Sequence, residues 1–379
     1  MAPSNTAGDR PLRIAHLIYG WTLGGLEQLV VHLCIDGRAA GLESLIISFG
    51  PDGPMREAAG ARGVSTRWIP SAGMRPSMLG EVHHALSTFD ADVIHAHDPG
   101  PLLNAAAVCA LRPGKPLVAT FHQLEMPSGA MKLAGRAAAH RANALVACGT
   151  EVRAMLDAWM PHHPRLLTIG NGVRLPPPAT PASRAQARMR LGIPDDAIVV
   201  GYLGRMAEVK GPDLLLRAFL GAFAHRPDVH LALVGPGPME AALRSLANGH
   251  ENVHLTGPVV DARELLPAFD VYAQPSLTEG RSLAMLEAMA AGLPTVAHDL
   301  PGVREIHDDS TAKLVPLRDA EKLKRALMEL VEDASLRTRL GDAAAIVSRR
   351  YDFEATLTAY ADLYRALAFR APLSNEVHA

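Results

Sequence analysis

Phe269-Asp270-Val271-Tyr272-Ala273-Gln274-Pro275-Ser276-Leu277-Thr278-Glu279-Gly280-Arg281-Ser282-Leu283-Ala284-Met285-Leu286-Glu287-Ala288-Met289-Ala290-Ala291-Gly292-Leu293-Pro294 passes from strand to loop to helix within one short run. Its first residues read as an apolar strand that stops at Pro275, which cannot donate to a ladder. From Ser282 onward Leu, Ala and Met recur at helical spacing as far as Gly292. Ser282 is therefore the expected helix N-cap, Glu279 lies on the loop before it, and Glu287 falls about two turns inside. Free N–H groups at such a helix start suit an anionic ligand such as a sugar diphosphate. A carboxylate beside that ligand could grip sugar or ribose hydroxyls, or face positive charge developing at a sugar carbon. The plainer alternative is an amphipathic helix with two solvated acids.

The same alternation runs through the rest of the chain. Strands are expected at residues 12–19, 45–49, 93–97, 117–122, 145–148 and 166–169, as short apolar runs of the kind buried in parallel sheets. Pro176-Pro177-Pro178-Ala179-Thr180-Pro181 then breaks regular structure, and residues 176–183 read as a linker. Beyond it, strands are expected at 198–203, 229–234, 253–255, 271–273 and 295–297. The predicted class is α/β, with two doubly wound domains, residues 1–175 and 184–352. Ligands of such sheets bind beyond the C-terminal strand ends, so the site is expected in the crevice between the domains.

Composition narrows the function. The chain has 379 residues and a formal net charge of −2, with 15 basic and 13 acidic residues up to position 175 and 22 and 26 after it. That slight asymmetry gives no support to nucleic-acid binding. Cys34, Cys109 and Cys148 make an odd count without a Cys-x-x-Cys pair, and read as buried thiols of a cytoplasmic protein. Residues 1–10 are polar, lack a signal-peptide pattern, and no apolar run reaches membrane-spanning length, so any membrane contact is expected to be peripheral.

Several residues carry candidate chemistry. Gly24 and Gly25 follow the first strand and let the backbone approach a ligand, with a plain tight turn as the alternative. Neither this loop nor Gly235-Pro236-Gly237-Pro238 completes the glycine fingerprint of a dinucleotide site. His95 and His97 share one face of a strand, with Asp98 next. Two metal ligands could be spaced so, but no downstream cluster offers the rest, and polar residues lining the crevice are the preferred reading. Arg205 and Lys210 flank a loop at a strand end, where two cations can neutralise a diphosphate leaving group; Glu208 lies between them as a candidate partner. Val259 and Val260 could frame a nucleotide base or simply pack in the core. Residues 130–147 carry Lys132, Arg136, His140 and Arg141 among Ala, Leu and Met, a helix suited to an anionic membrane surface or to plain solvation.

The stretch Glu279 to Glu287 resembles the Glu-x7-Glu signature of family 4 retaining glycosyltransferases. Other segments resemble that family in the same order: Leu23-Gly24-Gly25-Leu26-Glu27 its acceptor-side loop, and Asp92 to Asp98 and Thr120-Phe121-His122 its middle motifs. Asn171-Gly172-Val173 resembles its hinge, and Gly201 to Arg205 with Lys210-Gly211 its diphosphate clamp. The resemblance implies a GT-B fold, with a final helix at about 353–370 crossing back to the first domain. It implies a nucleoside diphosphate sugar as donor, a glycan or lipid-linked hydroxyl as acceptor, retention of configuration, and no metal or other cofactor. It casts His122 and Glu279 as catalytic residues that position the sugar, and Arg205, Lys210, Glu287, Ser282, Leu283 and Val259 as the donor site. Gly24, Gly25 and His97 fall on the acceptor side. Arg281-Ser282 replaces the family's usual Phe-Gly, and Arg281 could contact donor or acceptor or pair with Glu279. Pro301-Gly302-Val303-Arg304-Glu305 is a weaker match. A GT-B epimerase or hydrolase, or a nucleotide-sugar sensor, would keep the same donor clamp.

Overall fold

The computed structural model describes residues 10–70, 75–111, 114–124 and 129–371. The polar first nine residues lie outside these ranges. Among the described residues, strands fall into two sheets in which every pairing is parallel. The first holds β1 (Leu12–Ile18), β2 (Leu42–Ser48), β3 (Ser65–Trp68), β4 (Val93–His97), β5 (Leu117–Phe121), β6 (Ala144–Ala147) and β7 (Leu166–Thr168). Its spatial order is β3-β2-β1-β4-β5-β6-β7. The second holds β8 (Ile198–Leu203), β9 (Val229–Val234), β10 (Val253–Gly257), β11 (Val271–Gln274), β12 (Thr295–His298) and β13 (Ala312–Val315). Here the order is β10-β9-β8-β11-β12-β13.

Every residue of β4, β5, β6 and β9 is buried, which is why these strands are mostly apolar and why their few polar residues, such as His95, His97 and Thr120, are hydrogen-bonded inside. β3 and β13 have no counterpart among the expected strands. Both are edge strands, and the exposed or part-exposed Ser65, Arg67 and Lys313 interrupt the apolar pattern.

The expected linker is shorter than its composition suggests. Helix Pro181–Leu191 begins inside it, because Pro181 sits in the first turn and Thr180 and Ser183 cap each other reciprocally. Likewise, residues 130–147 are not one helix: helix Ala130–Arg141 ends and β6 follows.

Helix Phe353–Ala368 returns to the first sheet. Phe353, Leu357, Tyr360, Tyr364 and Leu367 recur at helical spacing and share a core with Leu12, Ile14, Val93, Val118 and Val146. Its start lies beside the outgoing chain, where Val173 N–H donates to Tyr351 O at 2.7 Å and Phe353 N–H to Val173 O at 3.0 Å. Gly172 is needed at this double crossing, since a Cβ there would sit 2.6 Å from Thr356 Oγ1 and 2.8 Å from Asp352 O.

Strand order reverses between β1 and β4 in one sheet and between β8 and β11 in the other. Such switch points leave a crevice at the C-terminal strand ends. The two crevices meet: a Cβ on Gly25 would approach Leu283 Cδ1 to 3.1 Å, and one on Gly280 would lie 3.6 Å from His122 O. Among the described residues, no helix is long and apolar enough to cross a membrane.

Candidate active site

The loops after β8 and β11 bring two expected site residues into direct contact. Lys210 Nζ lies 2.8 Å from each carboxylate oxygen of Glu279. Ser276 Oγ donates to Glu279 Oε1 at 2.7 Å, and Gln274 Nε2 donates to the same oxygen at 2.5 Å. Glu279 is thus a buried carboxylate with three donors, the arrangement in which burying a charge is tolerable. Lys210 pairs here and not with Glu208. Gly211 makes the approach possible, with φ of +65° and room for only a hydrogen, since a Cβ would fall 2.1 Å from Pro275 O. Arg205 is exposed and makes no salt bridge among the described residues, so its charge is available to a ligand.

Ser282 caps helix Leu283–Ala290 as expected, accepting from Met285 N–H at 3.4 Å. Leu283 starts that helix and packs against the core of the first domain. Gly302 lets the Glu279 loop lie close, because a Cβ there would be 2.2 Å from Glu279 O. Glu287 is part-buried on the helix, and burial pushes its carboxyl up to about 7, with Arg263 opposing the rise and Asp261 adding to it. Val259 is part-buried against the second-domain core.

Arg281 reaches neither Glu279 nor open crevice. Its guanidinium Nε donates to Glu305 Oε1 at 2.8 Å, and Glu305 Oε2 accepts from Thr150 N and Oγ1, both at 2.8 Å. The larger side chain therefore serves a contact between domains.

Across the crevice, Gly24 is the N-cap of helix Gly25–Gly37, and a Cβ on it would meet Glu27 Oε2 at 2.5 Å. Glu27 is buried, accepts from Thr22 Oγ1 at 2.7 Å, and is pushed up to about 7 chiefly by burial. Thr22 and its own N–H pull it back, while Asp98 raises it and Arg205, from the other domain, lowers it. Sequence reading quoted Glu27 as part of a glycine motif and assigned it no role.

His97 is fully buried and does not line the crevice surface. The strand alternation that pairs it with His95 turns both rings inward. His95 bonds Tyr364 OH and Thr120 Oγ1, each at 2.7 Å, and Thr120 Oγ1 lies 3.1 Å from Tyr360 OH, tying the final helix to the sheet. His97 lies between His16 and the part-buried His122, at 3.1 Å from each. The third imidazole that the metal reading lacked is therefore His16, upstream on β1, and the ligand atoms of His16, His95 and His97 lie within 4.8 Å of one another. Both nitrogens of His95 and of His97 already hold hydrogen bonds within the protein. The backbone N–H of His122 donates to Asp98 Oδ1 at 2.8 Å.

Two family models match the chain: Glycosyltransferase Family 4 over residues 23–175 and Glycosyl transferases group 1 over residues 197–333. The phosphatidyl-myo-inositol mannosyltransferase of Mycobacterium leprae is 30% identical over 372 residues, which span 91% of this chain and 94% of that protein. The chain belongs to glycosyltransferase family 4. A second family relative is the GDP-mannose-dependent monoacylated alpha-(1-6)-phosphatidylinositol monomannoside mannosyltransferase of Corynebacterium glutamicum. It is 34% identical over 193 residues, 48% of this chain and 51% of that one. Structures of Anabaena HepE with UDP and glucose, or with UDP-glucose, superpose with TM-scores of 0.82 and 0.81 at 20% identity, over 94% of this chain and 100% of that one. The fold is GT-B, and this family 4 member is an enzyme that transfers sugars.

Proposed function

We propose that the enzyme moves a sugar from a nucleoside diphosphate sugar to an acceptor hydroxyl with retention of configuration. The observation that carries this reading is the Lys210–Glu279 pair, held where the β8 and β11 loops meet at the crevice. An arriving diphosphate competes for Lys210 and recruits Arg205, while Glu279, released from its cation, turns toward the sugar. As the glycosidic bond breaks, the two cations stabilise charge on the leaving phosphate, and that phosphate oxygen takes the acceptor proton. With those cations supplying the positive charge, the reaction needs no metal. Glu287 grips the ribose, the helix start at Ser282 and Leu283 faces the diphosphate, and Val259 borders the base. His122 contacts the transferred sugar, and Gly24 and Gly25 shape the acceptor side.

The relatives' names support a phosphoinositide or similar lipid-linked hydroxyl as the first acceptor to try, within bacterial surface glycan synthesis. The exposed Met131, Leu133, Lys132 and Arg141 on helix Ala130–Arg141 support peripheral contact with an anionic cytoplasmic membrane face.

A panel of UDP-, GDP- and ADP-sugars, with and without inositol and phosphatidylinositol, tests the proposal. Acceptor-dependent release of nucleoside diphosphate with a retained anomer supports it. Acceptor-free conversion would mean a hydrolase or epimerase, and binding without turnover a sensor.

A further inference from the structure

His16, His97 and His122 come from three neighbouring strands, β1, β4 and the end of β5, and form one chain of imidazoles. His16 Nδ1 lies 3.1 Å from His97 Nε2, and His97 Nδ1 lies 3.1 Å from His122 Nε2. Successive rings stack with centroids 5.4 Å apart and interplanar angles of 24° and 27°. Burial drives all three toward the neutral form: His16 is lowered to about 3, His97 well below its usual value, and His122 in the same direction with Asp98 opposing.

A neutral imidazole carries one N–H, and each N···N contact needs one proton. The three tautomers are therefore coupled. If His97 is protonated on Nδ1, it donates to His122 Nε2, His16 donates to His97, and His122 must carry its proton on Nδ1. If His97 is protonated on Nε2, every bond reverses and His122 Nδ1 is bare. Asp98 breaks the tie. Its carboxylate holds the His122 backbone N–H at 2.8 Å and Gln123 Nε2 at 3.2 Å, which puts fixed negative charge at the His122 end. The first arrangement points the positive end of the chain's dipole toward that charge. Since Nε2 of His122 is engaged, Nδ1 is the ring nitrogen left for a ligand.

We propose that His16 and His97 are positioning residues that hold His122 in its Nδ1–H form, so that it offers a donor, and no acceptor, to an oxygen of the transferred sugar. This rests on the reading that His122 faces the sugar. A sugar lacking that oxygen would leave a buried donor unpaired, which is a stronger discriminator than a change in shape.

The test reads the tautomer directly. Full-length protein labelled with 15N-histidine should show His122, assigned by His122→Gln, as the Nδ1–H form. His97→Phe should shift it toward the Nε2–H form that an isolated histidine prefers. His97→Gln, whose amide can still donate to His122 Nε2, should keep it. The affinity ratios of UDP-glucose to UDP and of GDP-mannose to GDP should show, for the pair that matches the donor, a roughly 3- to 10-fold loss in His97→Phe, recovered in His97→Gln. If His97→Phe does not fold, Asp98→Asn keeps an oxygen for the His122 backbone N–H but removes the charge that sets the chain's direction, and should give a mixture of tautomers. His122 as Nε2–H in the unaltered protein, or unmoved by these substitutions, overturns the chain. A shifted tautomer with both ratios unchanged leaves the chain standing and removes His122 from the sugar.

Discussion

Arg281 and Glu305 form a part-buried ion pair, with side chains 10% and 9% exposed, and the bonds of Glu305 to Thr150 tie the loop carrying Glu279 to the first domain. Glu305 caps the start of helix Thr150–Trp159 from the opposite domain, and Arg281 lies over the Tyr351 ring at 5.3 Å. Asn171 Nδ2 donates to Arg281 O at 3.4 Å, so the segment after β7 joins the same cluster. Gly170 has no Cβ because the guanidinium occupies that volume.

Removing one partner of such a pair strands a largely desolvated charge. Arg281→Ala should destabilise the protein by about 1–3 kcal/mol, whereas Arg281→Met combined with Glu305→Gln should cost less. Urea denaturation followed by tryptophan fluorescence measures both. Equal losses in the two variants would show that the pair's geometry, and not the stranded charge, sets the cost.

Lys210→Ala should weaken binding of the nucleoside diphosphate product by about 1.5–3 kcal/mol, the range for a hydrogen bond to a charged group. The substitution also leaves Glu279 without its cation, so Lys210→Met with Glu279→Gln is the matched control. Calorimetric titration with UDP and GDP reads the change. Unaltered affinity for both in the single and double variants would take Lys210 out of the donor site.

Much of the architecture was legible because buried parallel strands leave a plain mark: β5, β6 and β8 are short, mostly apolar runs. Edge strands β3 and β13 leave no such mark, because Ser65, Arg67 and Lys313 break their apolar runs. Local signals also served well for Ser282, whose cap depends on its immediate neighbours. Long-range pairing was the blind spot. Nothing near position 281 announces Glu305, and nothing near His97 announces His16, 81 residues upstream in the chain and on the adjacent strand. Glu27 had a local signal, a carboxylate just inside a helix that opens on two glycines, but its burial and its exposure to Arg205's charge come only from the fold.

The imidazole cluster makes the metal question sharp. If the imidazoles are engaged within the protein, His97 with His16 and His122 and His95 with Tyr364 and Thr120, activity should survive exhaustive dialysis against chelator, and purified protein should hold no stoichiometric zinc. Zinc at one equivalent, with turnover lost on its removal, would replace the hydrogen-bond chain with a metal site.

Glu279 and Glu287 are expected to do different work. Glu287 sits on a rigid helix, suited to ribose hydroxyls that do not change during reaction, so Glu287→Gln should raise KM for the donor and weaken free nucleotide alike. Glu279 lies beside Lys210, the cation proposed to hold the diphosphate, so Glu279→Gln should mostly lower kcat, since its contacts strengthen as the sugar becomes positive. Glu287 adds a pH signature. Its carboxyl is raised to about 7 by burial, so the acid is largely neutral below that pH and ionised above it. Folding stability owed to the neutral form is full below the unfolded carboxylate range and falls as pH rises through about 7. Nucleotide affinity should run the other way, rising through the same window as a better acceptor for hydroxyls forms. Glu27 is also raised to about 7, so Glu27→Gln is the control and should leave the affinity step in place. Glu287→Gln should flatten it. If both glutamate substitutions shift KM equally, leave kcat alone and keep the pH step, the two acids share one binding role.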